Sequence, residues 1–213
     1  MITADLIRRL ASDVRAVPPN VVGQRIAFGI LSGAAISLLL VGGLVGIRPD
    51  LDVAMRDFPF WVKWAYTVSL GVGAVLTTAS LARPESTRPR WLWLLGVPVL
   101  LLTAIGIAQM AHASPQDWQA LWLGRSWRVC PWIILLLSAP IFVGLLWSFR
   151  QFAPARPRAA GAAAGLAAGA WSATLYCLHC PEVSAIFVLT WFSLGMGLAA
   201  AAGAVLGRPL LRW

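Results

Sequence analysis

Seven consecutive residues, Tyr176-Cys177-Leu178-His179-Cys180-Pro181-Glu182, gather two thiols, an imidazole and a carboxylate at the end of an apolar, glycine-rich run. The chain has only three cysteines and two histidines in 213 residues, so this stretch concentrates its soft and redox-capable groups. Three chemistries suit it. In an oxidising compartment the remaining cysteine, Cys130, could form a disulfide with Cys180 or with Cys177. Cys-x-x-Cys with a histidine is also a set of soft donors, which makes Cys130, Cys177, Cys180 and His179 candidate ligands for a transient thiophilic metal ion. Free cysteines can equally serve as small buried apolar side chains. Pro181 predicts a helix end at Cys180, which would leave that thiol accessible. No resident cofactor is expected.

The elements that position these groups are apolar helices. Hydrophobic residues make up 59% of the chain and charged ones 12%, with a mean hydropathy of +0.77. A soluble domain carries about 25% charged residues. Apolar runs of roughly membrane-spanning length recur six times. They fall at about Ile26–Gly46, Trp61–Leu81, Trp91–Ala111, Val129–Phe149, Ala159–Cys177 and Ala185–Leu206. The predicted fold is therefore all-α: a polytopic bundle of six transmembrane helices over residues 25–207. It is preceded by a cytoplasmic N-terminal segment, 1–24, and followed by a cytoplasmic tail, 208–213.

Orientation follows from the basic residues. Twelve arginines fall in the N-terminal segment, the tail and the loops after the second and fourth runs, whereas Arg48, Arg56, Lys63, Arg125 and Arg128 fall on the other side. The positive-inside rule then places both termini in the cytoplasm and sends all three cysteines and both histidines to the opposite face. The net charge of +9 is spread over short loops, so direct nucleic-acid binding is not expected and the lipid bilayer is.

Within residues 1–24, Ile2, Leu6, Leu10 and Val14 recur every four positions, with Ile7 beside them and Arg8 and Arg9 across from them, before Pro18-Pro19 ends the pattern. This predicts a short amphipathic helix, either lying on the membrane surface or docking a soluble partner. Leu6, Ile7, Arg8, Arg9, Leu10 and Val14 are the candidate partner-binding residues.

Several tryptophans, including Trp61, Trp64, Trp91, Trp93, Trp132 and Trp147, sit near the predicted helix ends, where indole favours the interface. Gly161, Gly165 and Gly169 form a small-xxx-small face on the fifth helix, and Gly29/Gly33, Gly42/Gly46 and Gly203/Gly207 repeat the spacing. Such faces predict close backbone packing, within the bundle or across a homodimer. No Asp, Glu, Lys or Arg falls deep in any run, which argues against transport.

Trp127-Arg128-Val129-Cys130, Leu137-Ser138-Ala139-Pro140, Ala153-Pro154, the Gly161–Gly169 helix and Tyr176–Glu182 together resemble the NrsF family, with Thr3-Ala4-Asp5-Leu6-Ile7 and Leu10 similar to its opening. These are negative regulators of the sigma factor SigF, six-helix anti-sigma factors of the Gram-negative inner membrane. The resemblance implies a non-enzymatic regulator that holds an extracytoplasmic-function (ECF) sigma factor at the membrane until oxidative or heavy-metal stress releases it. It also implies that Cys130 and Cys180 are the signal-responsive pair, with Cys177 an addition to the family pattern. The rival readings are a membrane thiol–disulfide oxidoreductase, for which the second outer segment has only Cys130, and then a metal-ion permease.

Overall fold

The computed structural model describes Ser12 and residues 21–81, 92–149 and 156–210, and every regular element among them is helical. Helix α1, Val21–Leu40, runs into a π-helical turn at Val41–Val45. A short α2, Leu51–Ala54, leads to α3, Phe58–Leu81. Then come α4, Leu92–His112, a short α5, Trp118–Leu123, and α6, Cys130–Phe149. Helix α7 spans Pro157–Tyr176. The last rod joins α8, Ala185–Phe187, through a π-helical Val188–Phe192 to α9, Ser193–Leu210. Among the described residues six long rods overlap the expected runs, but the short α2 and α5, inside segments expected to be plain connections, take the number of helices beyond six.

Five of the six rods are long and apolar enough to cross a membrane, and α7 is the exception. The reason is its alanine and glycine content combined with its position. Thirteen of its twenty residues are buried, because it packs against α9, α3, α6 and α1. A helix wrapped by other helices needs small side chains for close approach, not large apolar ones. The peripheral α4 shows the opposite pattern, with Trp93, Leu100 and Ile107 mostly exposed.

Polar ties show that successive rods alternate in direction. Ser148 near the end of α6 donates to the carbonyl of Arg25 at the start of α1, at 2.8 Å. Ser172 near the end of α7 donates 2.9 Å to Ile134 near the start of α6. Thr174 meets Thr67 of α3 at 3.0 Å. Small residues set the tightest contacts. A side chain at Gly161 would run into the Gly203 carbonyl, and one at Gly165 into that of Ala199. Gly29 and Gly33 abut Gly144 and Ile141 of α6 in the same way. Gly42 and Gly46 do not: both face open space, so that pair is not a packing motif. Gly46 instead ends the π turn at φ +84°, a conformation that disfavours a side chain.

The expected amphipathic stripe Leu6, Ile7, Arg8, Arg9, Leu10 and Val14 lies outside the described residues, as do 82–91, 150–155 and 211–213.

Candidate functional site

Alternation brings one end of every rod to a common face, and the cysteines meet there. Cys130 opens α6, and Cys177 and Cys180 follow the end of α7. All three thiols are free and fully buried. They share one apolar cluster with Tyr176, Phe187 and Phe192. The thiols of Cys130 and Cys180 lie close enough to influence each other's ionisation. Two thiols so placed have two simple reactions. They can give two electrons and two protons to an oxidant and join as a disulfide, or they can give up protons and hold a soft metal ion between them.

The expectation that Cys180 is accessible is corrected here, since its exposure is 0%. Helix α7 does end early, at Tyr176, but the turn Cys177–His179 folds the chain back into the bundle. The amides of Leu178, His179 and Cys180 return to the carbonyls of Leu175 and Tyr176 at 3.0–3.1 Å. Pro181 comes five residues after the helix end and leaves the residue before it buried.

Lys63 of α3 is what holds this segment, and sequence reading missed it. Its side chain is 1% exposed. Its Nζ donates to the carbonyl oxygens of Cys180 at 2.8 Å and Glu182 at 3.0 Å, and lies 5.8 Å from the Phe192 ring. Lys63 looked like an end-of-helix topology charge. The only available signal was its position one turn inside an apolar run.

Cys180 lies outside the helices, and its surroundings pull its thiol below the usual range. The neighbouring Cys130 thiol is the main cause. Burial opposes it, and Lys63, the Glu182 amide and the Ser126 hydroxyl add to it. With the Lys63 ammonium, the Glu182 amide and the Ser126 hydroxyl around it, Cys180 has the surroundings that favour a thiolate.

His179 and Cys177 turn away from that pair. The His179 Nδ1 meets the Gly46 carbonyl at 2.8 Å, and its ring stacks 5.5 Å from Tyr176. The Cys177 thiol donates to Ala173, one turn back, at 3.2 Å. Among the described residues no three His, Cys, Asp or Glu side chains are gathered as a metal site. The four-ligand set Cys130, Cys177, Cys180 and His179 is therefore divided: two sulfurs together, the other two donors engaged by backbone. His112 sits at the same face but is exposed, bonded to Ala108.

A turn covers the pair. The segment Gly124–Val129 joins α5 to α6, and Ser126 Oγ lies 3.9 Å from the Cys180 sulfur. Glu182 accepts the Arg125 amide at 2.7 Å. Gly124 adopts φ +55°, and a side chain on it would lie 2.7 Å from the Glu182 carboxyl carbon. Trp191 donates 2.8 Å to the Trp122 carbonyl and stacks on Trp122 and Trp127.

The family described as negative regulator of sigma F, NrsF, matches residues 10–213. The chain belongs to the NrsF family. Among similar proteins, the "Probable anti-sigma-F factor NrsF" of Azospira oryzae is 42% identical over 214 residues, covering both chains whole. The "Anti-sigma-F factor NrsF" of Caulobacter vibrioides is 40% identical over 215 residues, again covering both. No solved structure matches. In this NrsF-family chain the buried pair Cys130–Cys180, its clamp Lys63 and its cover 124–129 lie at one end of the bundle. Exposed Arg156, Arg158 and Arg208 mark the other end.

Proposed function

We propose that this chain is an anti-sigma factor of the bacterial inner membrane that holds an ECF sigma factor and releases it when the Cys130–Cys180 pair reacts with an oxidant or a soft metal ion. The single observation that carries the reading is the match to NrsF-family anti-sigma factors along the whole chain. The apolar bundle surface supports the membrane assignment: Leu39, Leu44, Trp93 and Val205 are each more than 70% exposed, which suits lipid and not water.

The arginine count puts both termini, with 1–24 and 208–213, in the cytoplasm. The thiol pair then faces the outer compartment, where disulfides persist. Partner binding falls to the Leu6/Leu10/Val14 stripe with Ile7, Arg8 and Arg9, together with the arginines of the inner end. Basic side chains there suit an acidic surface on the sigma factor. Cys130 opens α6 and Cys180 sits in the turn that follows α7, so a bond between them ties the outer ends of two helices that are consecutive in the chain. The reading includes no catalytic turnover. A homodimer remains compatible with the lipid-facing surface and is no part of the mechanism.

The test is co-purification. The tagged chain, extracted in detergent, should retain a sigma factor from unstressed cells and lose it after oxidant or cadmium treatment. A chain that retains no sigma factor under either condition would overturn the reading.

A further inference from the structure

The thiol pair is deep, yet the reading above, on which this inference rests, needs it to meet external reagents. The cover decides which reagents those are. Glu182 is fixed on both sides: its main-chain carbonyl accepts Lys63 at 3.0 Å, and its carboxylate accepts the Arg125 amide at 2.7 Å. That carboxylate occupies the space that a side chain at position 124 would fill, and a glycine stands there at φ +55°. The turn so held carries Ser126, whose Oγ lies 3.9 Å from the Cys180 sulfur. A second tie, Trp191 to the Trp122 carbonyl, fixes the preceding helix α5.

The geometry points to Glu182 as the latch of a gate: by holding the Gly124–Val129 turn over Cys130 and Cys180 it restricts access to small reagents. Both sulfurs are dry, with 0% exposure at each residue. A bulky reagent reaches sulfurs so enclosed only if the turn is displaced as a whole. A small molecule needs only a brief opening of the turn. A carboxylate bonded to a backbone amide is a charge-assisted bond, stronger than a neutral one, and therefore a firm latch.

The full chain in detergent, reduced, provides the test. Iodoacetamide serves as the small neutral probe, and trimethylammonium and sulfonate methanethiosulfonates serve as bulky cationic and anionic ones. Mass spectrometry reads labelling at Cys130 and Cys180. In the unaltered chain the small probe should label Cys180 and both bulky probes should be strongly disfavoured. Glu182→Ala should raise labelling by both bulky probes about tenfold or more, as expected for loss of one charge-assisted hydrogen bond.

Gly124→Ala attacks the same latch from the turn side and should give the same result. Glu182→Gln keeps an acceptor in place and should retain most of the discrimination. Trp191→Phe keeps the ring but removes the second tie, so a smaller rise is expected, and it serves if the other variants do not fold. Equal labelling of the unaltered chain by small and bulky probes would overturn the proposal, as would unchanged ratios in Glu182→Ala and Gly124→Ala. Failure of the sensing reading shows elsewhere, as a normal stress response without Cys130 and Cys180, and leaves these ratios untouched.

Discussion

Lys63 on α3 donates 2.8 Å to the carbonyl oxygen of Cys180, so a lysine from one helix fixes the thiol that follows another. A buried polar group left without its partner costs about 1–3 kcal/mol. Lys63→Met keeps the stem and removes the donors, leaving the Cys180 and Glu182 carbonyls unpaired. The expected outcome is a loss of about 2–4 kcal/mol, read as a lower melting temperature in detergent. Iodoacetamide labelling should rise at Cys180 and stay low at Cys177, which is bonded within α7. Equal rises at both residues would mean general unfolding and no local clamp.

The glycine contacts divide into two classes with opposite signs. An alanine at Gly161 or Gly203 would collide with the facing helix backbone. Overpacking of this kind costs about 1–3 kcal/mol. Gly42 has nothing within 4 Å of an added Cβ, so Gly42→Ala should be neutral or stabilising by up to about 1 kcal/mol, from helix propensity alone. Thermal unfolding of the three variants in one detergent checks the order.

The serine ties are individually weak. Ser37, Ser148 and Ser172 donate to Leu137, Arg25 and Ile134 at 2.8, 2.8 and 2.9 Å. Interhelical bonds of this type in membranes average about 0.6 kcal/mol, and each of these carbonyls belongs to a helix. Single changes to Ala should therefore be barely measurable. The triple variant should show a loss of about 2 kcal/mol, and any departure from the sum should come from Ser37 and Ser172, whose acceptors Leu137 and Ile134 lie one turn apart.

Signalling should separate the cysteines. Cys130→Ser and Cys180→Ser should each abolish stress-dependent release of the sigma factor, and the double variant should match either single, because one contact is being removed. Cys177→Ser should respond normally. Co-purification before and after oxidant or cadmium measures all four. A normal response in the double variant would reduce the pair to core packing.

The N-terminal stripe makes a prediction from sequence alone. Burial of one large apolar side chain at an interface is worth about 1.5–3 kcal/mol. Leu6→Asp with Leu10→Asp should release the partner while the chain stays inserted, as judged by membrane fractionation and co-purification. Full retention of the sigma factor would remove 1–24 from the binding surface.

Sequence by itself determined the rods, because apolar runs of about 20 residues bounded by loops, prolines and tryptophans favour long helices. It also determined that Cys130 and Cys180 come to one face, since the parity of six runs decides which ends meet. The Gly161–Gly169 face was legible as a packing surface for the same reason: spacing of four is geometry along a single helix. The partners across helices were not legible. That α9 covers the glycines while Gly42 and Gly46 stand open, that Lys63 reaches two carbonyls over a hundred residues away, and that Glu182 holds the turn at Gly124 all depend on how rods rotate about their axes. Rotation is set by the summed close packing of every neighbour, and no local pattern records it. The same applies to Cys180. Its proline put the end of the helix at Cys180, four residues past the true end at Tyr176, and only the fold decided that the chain would turn inward and bury the thiol.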